Sequence, residues 1–149
     1  MEVYRITLFG HRDFQANKKT EEQLFTLLYE LSRTKPYVEI YVGRNGEFDR
    51  FAASIVKRVQ KKSENQNCEL ILVLPYIQKD IEYYERYYNA IVIPEGVEKT
   101  HPKSAITRRN RWMVELCDLL ICYVERMRGG AYAAFNYAKK LKKPIIRLE

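Results

Sequence analysis

The chain has 149 residues, of which 46% are hydrophobic and 30% charged, and its formal net charge at pH 7 is +7. This length predicts one domain over residues 1–149, large enough to bury a core without disulfides or metal ions. The balance excludes a disordered chain, and no apolar run is long enough for a membrane helix, so we expect a cytoplasmic protein with no membrane partner. The positive charge suits nucleic acid or any phosphate-bearing small molecule.

The cysteines and the placement of the basic residues bear on metal binding and on nucleic-acid binding. The cysteines, Cys68, Cys117 and Cys122, are odd in number and lack C-x-x-C spacing. We interpret them as reduced core residues, and we expect no metal site. The basic residues are dispersed over predicted helices, which favours solvated helix faces over a continuous nucleic-acid groove.

The first part of the chain alternates strand and helix patterns. Residues 3–9 are rich in β-branched and aromatic side chains and predict a strand, and leucines at helical spacing predict a helix over residues 18–32. Residues 38–42 predict the second strand. Apolar side chains four residues apart predict a helix over residues 47–62.

The middle of the chain continues the alternation. Residues 69–74 predict a strand that a proline ends. Residues 78–88 predict a helix whose tyrosines form two i, i+4 pairs, a pattern typical of core or interface packing, with adenine stacking as the alternative. Residues 90–93 predict a short strand. Residues 97–104 predict a surface loop able to close over a ligand, and a helix over residues 105–117 follows.

The C-terminal part has the clearest pattern. Residues 118–124 form a nearly unbroken apolar run, which predicts a strand buried on both faces. Gly129 and Gly130 then precede a predicted helix over residues 131–141, and Pro144 separates that helix from a last strand. The repeated alternation predicts an α/β fold, a three-layer sandwich with a mostly parallel sheet and helices on both faces.

Glycines and polar side chains directly follow several predicted strands, which is where open α/β sheets contact ligands. The glycine pair at the start of the last helix is a candidate anion-binding site, because backbone N–H groups and the positive end of the helix dipole point outward there. The candidates of this kind are Gly10, His11 and Arg12, then Gly43, Arg44, Asn45, Gly46, Glu47 and Asp49, then Gly129, Gly130 and Ala131.

Some of these residues also have plain structural explanations. His11 is either a buried structural histidine or a chemical group. Glu47 is either a first-turn carboxylate favoured by the helix dipole or, like Asp49, an acceptor for a ribose hydroxyl. Glu95, which follows the fourth strand, is either a turn residue or an acid of the pocket.

Five motifs in a fixed order resemble one protein family. They are Gly10-His11-Arg12, a glycine loop with Phe48-Asp49, Pro94-Glu95-Gly96, the run RNRWMVELCDLLI at residues 109–121, and Gly129-Gly130-Ala131. This ordered set resembles the YpsA-like branch of the SLOG superfamily, over nearly the whole chain. That superfamily has a Rossmann-like fold and includes the lonely-guy phosphoribohydrolases and DNA-processing protein A.

The resemblance implies a pocket for a nucleotide or nucleotide-derived molecule at the carboxyl ends of the strands. Gly129 and Gly130 match the phosphate-binding glycines, and Ala131 stands where a threonine is common. The remaining matches are Gly43, Gly46 and Asp49 in the second glycine loop, the arginines Arg12 and Arg109, and Asn110 beside the latter. Arg109 and Asn110 have a plain alternative as capping or paired groups on a helix surface.

Catalysis is where the sequence departs from the enzymes that it resembles. Cleavage of an N-glycosidic bond needs a carboxylate near the anomeric carbon or a general acid near the leaving base. The lonely-guy enzymes carry a glutamate after the glycine motif, and nucleoside deoxyribosyltransferases, which have a similar fold, carry one in the same helix. Here residues 130–135 are GAYAAF. The carboxylates that could substitute come from other loops: Glu47, Asp49 and Glu95.

Three functional hypotheses follow, with the ligand and any cofactor left open. The first is a cytoplasmic, bacterial-type binding module for a nucleotide or nucleotide-derived ligand, acting as a sensor. The second is a hydrolase that processes a nucleotide, or a transferase that acts on its N-glycosidic bond. The third is nucleic-acid binding, suggested by charge and by DNA-processing protein A. A homo-oligomer formed through the tyrosine helix or the helix of Trp112 is compatible with each.

Overall fold

The computed structural model describes residues 2–44, 46–95 and 101–149. Within these ranges one parallel sheet has the strand order β4-β3-β2-β1-β5-β6. The predicted α/β fold with a parallel sheet is therefore confirmed. The strands are β1 (Val3–Gly10), β2 (Tyr37–Val42), β3 (Cys68–Val73), β4 (Ala90–Val92), β5 (Leu119–Tyr123) and β6 (Ile145–Arg147).

Helices cover both faces of the sheet, which confirms the predicted three layers. On one face, α1 and α2 pack over the core side chains, and on the other face α4 and α5 do so. The short α3 lies between β3 and β4. The helices are α1 (Lys18–Thr34), α2 (Glu47–Lys62), α3 (Ile81–Glu85), α4 (Pro102–Leu116) and α5 (Gly130–Lys140).

Strand β5 shows why its sequence is apolar almost throughout. Successive side chains of a strand point to opposite faces of the sheet. Leu119 and Ile121 accordingly join the core under α1 and α2, whereas Leu120 and Cys122 join the core under α4 and α5. A strand buried on both faces has no polar alternation, as the sequence predicted.

The helix starts differ in a way that bears on the site. The side chain of Asn17 caps α1 by accepting a hydrogen bond from the backbone N–H of Thr20, with an N–O distance of 2.9 Å. By contrast, the residues that precede α2 and α5 in the capping position are Gly46 and Gly129, which provide no side-chain hydrogen bond. Backbone N–H groups at these two starts lack a side-chain cap.

Two predicted elements differ from the structure. The predicted helix over residues 78–88 is reduced to α3, because the chain turns after Tyr84 and the backbone N–H of Asn89 donates to Leu70 to begin β4. The predicted loop over residues 97–104 lies partly outside the described residues. Its last part is the first turn of α4, which begins at Pro102, a position where proline suits a helix.

The described ranges contain no helix that is long and apolar enough to cross a membrane. The three cysteines are buried and unpaired, as predicted. Trp112, which was considered for self-association, packs edge to face against the buried Tyr41 with ring centroids 6.0 Å apart. Self-association stays a prediction.

Candidate ligand-binding site

A cavity of about 420 Å³ opens at the carboxyl edge of the sheet. This size lies within the range of small-molecule sites. Its walls come from the end of β1, the segments after β1, β2 and β3, the first turn of α2, the middle of α4, and the connection between β5 and α5 with the first turn of α5. The lining residues are Phe9, Gly10, His11, Arg12, Gly43, Arg44, Gly46, Asp49, Pro75, Ile106, Arg109, Asn110, Arg126, Gly129, Gly130 and Ala131.

Most residues singled out from the sequence meet in this cavity. Two do not. Glu47 is exposed and forms an ion pair with Arg50, with a distance of 2.8 Å between Oε1 and Nη1, and Glu95 is exposed beyond β4. Asn45 lies outside the described residues. Of the three carboxylates considered for catalysis, Asp49 alone lines the cavity.

Arg109 is a buried cation in the lining of the cavity, with 8% of the residue exposed. Its Nη1 donates to the carbonyl oxygen of Val73 at 3.0 Å, and its Nε donates to Oδ1 of Asn110 at 2.9 Å. Burial lowers the pKa of the guanidinium, and the nearby carboxylate of Asp49 opposes that effect. The two hydrogen bonds offset part of the cost of burying this charge, and the carboxylate of Asp49 offsets a further part.

Asp49 is the acidic group near Arg109. Burial raises the pKa of its carboxyl to about 6, although the positive charge of Arg109 and a backbone hydrogen bond from Gly46 act in the opposite direction. Glycines leave room beside the carboxylate, since a Cβ added at Gly43 or at Gly46 would lie 3.4 Å from its Oδ2. The cavity therefore holds a carboxyl group whose pKa lies near neutral pH. Such a group can accept a hydrogen bond or a proton.

Replacing Asp49 by asparagine is expected to stabilise the unliganded protein at about pH 8 and to have little effect at about pH 4. Because the folded protein raises the pKa of this carboxyl, the folded state binds the proton more tightly than the unfolded state does. The carboxyl therefore lowers the free energy of unfolding progressively as pH rises from about 4 to about 6. Above that range the cost is about 1–3 kcal/mol. Urea unfolding of both proteins at the two pH values measures it, and an equal effect at both would contradict it.

The start of α5 forms the other end of the cavity. Gly129 has φ of +92°, in the left-handed region that favours glycine, and a Cβ at Gly130 would meet only the Nδ2 of Asn110, at 3.4 Å. Gly129, Gly130 and Ala131 all line the cavity. The start of α5 combines a helix dipole with backbone donors that no side chain caps, which is the arrangement that binds anions.

Gly10 and His11 have structural roles in the cavity wall. The ring of the fully buried Phe48 lies against Gly10, so that an added Cβ would be 2.0 Å from the ring Cγ. His11 is 4% exposed, and its Nε2 accepts a hydrogen bond of 2.9 Å from the backbone N–H of Glu125. Burial lowers the pKa of His11, which favours the neutral ring that this hydrogen bond requires.

Four lining residues were not singled out from the sequence: Phe9, Pro75, Ile106 and Arg126. Arg126 forms an ion pair with Asp13, and so joins the segments that follow β5 and β1. It could have been found, because it follows a buried strand just as Arg12 does. Ile106 lies one helical turn before Arg109 and carried no signal of its own.

The position of the cavity defines a class of fold. β1 is flanked by β2 on one side and by β5 on the other, so the direction in which strands are added reverses at β1. In doubly wound α/β proteins ligands bind at this switch point, outside the carboxyl ends of the strands. The chain thus has a Rossmann-like fold with a cavity at the expected place.

Particular solved structures share this fold. DNA-processing protein A from Streptococcus pneumoniae has a TM-score of 0.68 at 16% identity, over 97% of this chain and 50% of that one. DNA-processing protein A from Helicobacter pylori, described for its single-stranded DNA binding mode, has a TM-score of 0.67 at 20% identity, and the match covers 97% of this chain and 64% of that one. The molybdenum cofactor binding protein of Rippkaea orientalis has a TM-score of 0.65 at 17% identity, and the match covers 99% of this chain and 77% of that one.

These likenesses establish the fold. They confirm the Rossmann-like fold that the sequence resemblance implied. The chain spans about half to two thirds of the two DNA-processing proteins that it matches. No protein-family model matches the sequence, and no curated protein matches it.

Proposed function

We propose that the protein binds a nucleotide or a nucleotide-derived molecule in the cavity at the carboxyl edge of the sheet. The observation that carries this proposal is the meeting, at the switch point, of the glycine start of α5 with the arginines of the lining. Backbone donors at a helix N-terminus and guanidinium groups both suit phosphate. The arginines in the lining are Arg12, Arg44, Arg109 and Arg126.

The rest of the lining suits the remainder of such a ligand. Phe9, Pro75 and Ile106 provide apolar surface, which a base or a sugar face would cover. Asp49 provides an acceptor for hydroxyl or amino groups. A ligand with one anionic end and one neutral, hydrogen-bonding end matches this distribution.

We favour binding without turnover, as in a sensor. The helix after the glycine pair carries no carboxylate, and Glu47 and Glu95 do not line the cavity, which leaves Asp49 as the acid through which hydrolysis would proceed. The burial of its unpaired cysteines accords with the cytoplasmic location that we propose.

A thermal-shift screen of the purified protein tests the proposal. The panel consists of nucleoside mono-, di- and triphosphates, dinucleotides and nucleotide sugars. A ligand present at about a hundredfold excess over its Kd adds about 2.7 kcal/mol to the free energy of unfolding, which moves Tm by several degrees. We expect at least one such hit. The absence of any shift across the panel would overturn the proposal.

Single-stranded nucleic acid is the second candidate, favoured by the surface beside the cavity. Arg44 lies over the ring of Tyr84, with Cζ 5.2 Å from the ring centroid, and Tyr83 and Ile77 are 75% and 73% exposed. Aromatic and cationic groups together stack bases and hold their phosphates. The Helicobacter pylori neighbour is described as a single-stranded DNA binder. Oligonucleotide affinity that falls steeply with salt would support this candidate, and no binding at low salt would remove it.

A further inference from the structure

The cavity has two chemically different ends joined by a short chain of contacts. At one end Asp49 lies beside Gly43 and Gly46, and at the other end lies Gly130. Between them Arg109 bonds to Asn110, whose Nδ2 would be 3.4 Å from a Cβ at Gly130. The ends lie near β2 and β5, which flank β1, so they are about two strand spacings, or about 10 Å, apart.

The charges orient an anionic ligand between these ends. The guanidinium of Arg109 donates to Val73 through Nη1 and to Asn110 through Nε, and the carboxylate of Asp49 acts on its pKa. A phosphate placed beside Asp49 would face a carboxylate in a poorly solvated setting, where like charges repel strongly. The start of α5 offers backbone donors without that repulsion, so the anion belongs there and the neutral part of the ligand faces Asp49.

The carboxylate of Asp49 has capacity for ligand hydrogen bonds. Within the described ranges it accepts a backbone hydrogen bond from Gly46, and no side chain forms a hydrogen bond or salt bridge with it. An ionised carboxylate has about four acceptor positions. The glycines beside the carboxylate leave space for a ligand to approach. The carboxylate can accept one hydrogen bond from each of two adjacent hydroxyl groups of a ligand.

We propose that Asp49 determines specificity for ribonucleotides over 2′-deoxyribonucleotides, by accepting hydrogen bonds from the vicinal hydroxyls of a ribose whose 5′-phosphate lies at the start of α5. This inference rests on the proposed function and names the ligand class for the same cavity. It argues against single-stranded DNA as the ligand of this cavity, because DNA lacks the 2′-hydroxyl. A deoxyribonucleotide would leave one acceptor position of Asp49 without its partner, at a half-buried carboxylate where a lost hydrogen bond is costly.

Isothermal titration with matched ribo- and 2′-deoxyribonucleoside 5′-monophosphates tests this inference. For the bases that bind, we expect the wild type to bind the ribo form at least about tenfold more tightly, the effect of one hydrogen bond to a charged group. In Asp49→Asn the preference should fall below about threefold, while affinity for the deoxy form stays within about threefold, because the phosphate contacts remain and the amide oxygen can still accept from the 3′-hydroxyl. Glu22→Gln removes an exposed carboxylate of α1 and should keep the full preference.

The outcomes separate this inference from the proposed function. Equal affinity of the wild type for ribo and deoxy forms would overturn the inference and leave nucleotide binding standing, and this comparison needs no variant to fold. A preference that persists undiminished in folded Asp49→Asn would also overturn the role of Asp49. Absence of binding for every member of both series would overturn this inference together with the proposed function.

Discussion

Replacing Gly130 by aspartate is expected to weaken nucleotide binding at least about a hundredfold, or about 2.7 kcal/mol, without unfolding the protein. The new carboxylate would stand on the first residue of α5, where the proposed ligand places its phosphate. It would repel that phosphate and compete for the same backbone N–H groups. The fold should tolerate the change, because Gly130 is exposed and an acidic side chain at a helix start interacts favourably with the helix dipole.

A matched control separates position from charge. Asn136→Asp adds the same negative charge to the same helix, at an exposed residue that does not line the cavity. Titration of the best ligand from the screen should show near-normal affinity for this control and almost none for Gly130→Asp. Equal affinities in the two variants would show that the phosphate does not bind at the start of α5. The glycine pair would then be needed only for the backbone conformation of the turn.

Replacing Gly10 by alanine is expected to lower the free energy of unfolding by about 3 kcal/mol. The added Cβ would lie 2.0 Å from Cγ of Phe48, and at less than 3 Å from two further ring carbons. The ring cannot move aside cheaply, because it is fully buried and packs edge to face against Phe14 with ring centroids 5.3 Å apart. Urea unfolding of both proteins, with comparison of midpoints at constant m-value, measures the change.

Gly46→Ala is the control for that measurement. Its Cβ would find its nearest neighbours at 3.4 Å, which is ordinary van der Waals contact. We expect a loss below about 1 kcal/mol at this position, within the range of unremarkable substitutions. A Gly10→Ala protein as stable as Gly46→Ala would show that Phe48 is free to repack, contrary to the close contact described here.

The parts of this structure that could be predicted are those encoded by local patterns. The apolar run over residues 118–124 indicated β5, and the glycine pair before a helical segment indicated the start of α5. Both depend on periodicity and turn chemistry within a few residues. The fold class followed from the order of such elements, and the family resemblance added Arg109 and Asn110 to the candidate site.

The parts that could not be predicted depend on contacts between distant residues. Gly10 reads as a ligand glycine, yet its lack of a side chain is required by Phe48, a residue on α2. The proximity of Asp49 and Arg109 arises only when α2 and α4 approach the same edge of the sheet. The tyrosine-rich segment has strong helical spacing, but the need to return to the edge of the sheet at β4 shortens its helix to five residues.

The pairing of β1 with β5 also determines when the cavity can exist as the chain is made. Ile6 pairs with Leu119, and the cavity lining runs from Phe9 to Ala131. The strands β1, β2 and β3 can align early, but a nascent chain cannot form the binding site until α5 has left the ribosome. Such long-range pairing is slow because much chain must be ordered first. A ligand present during synthesis would therefore stabilise only chains from which α5 has emerged, and it would not guide the earlier steps.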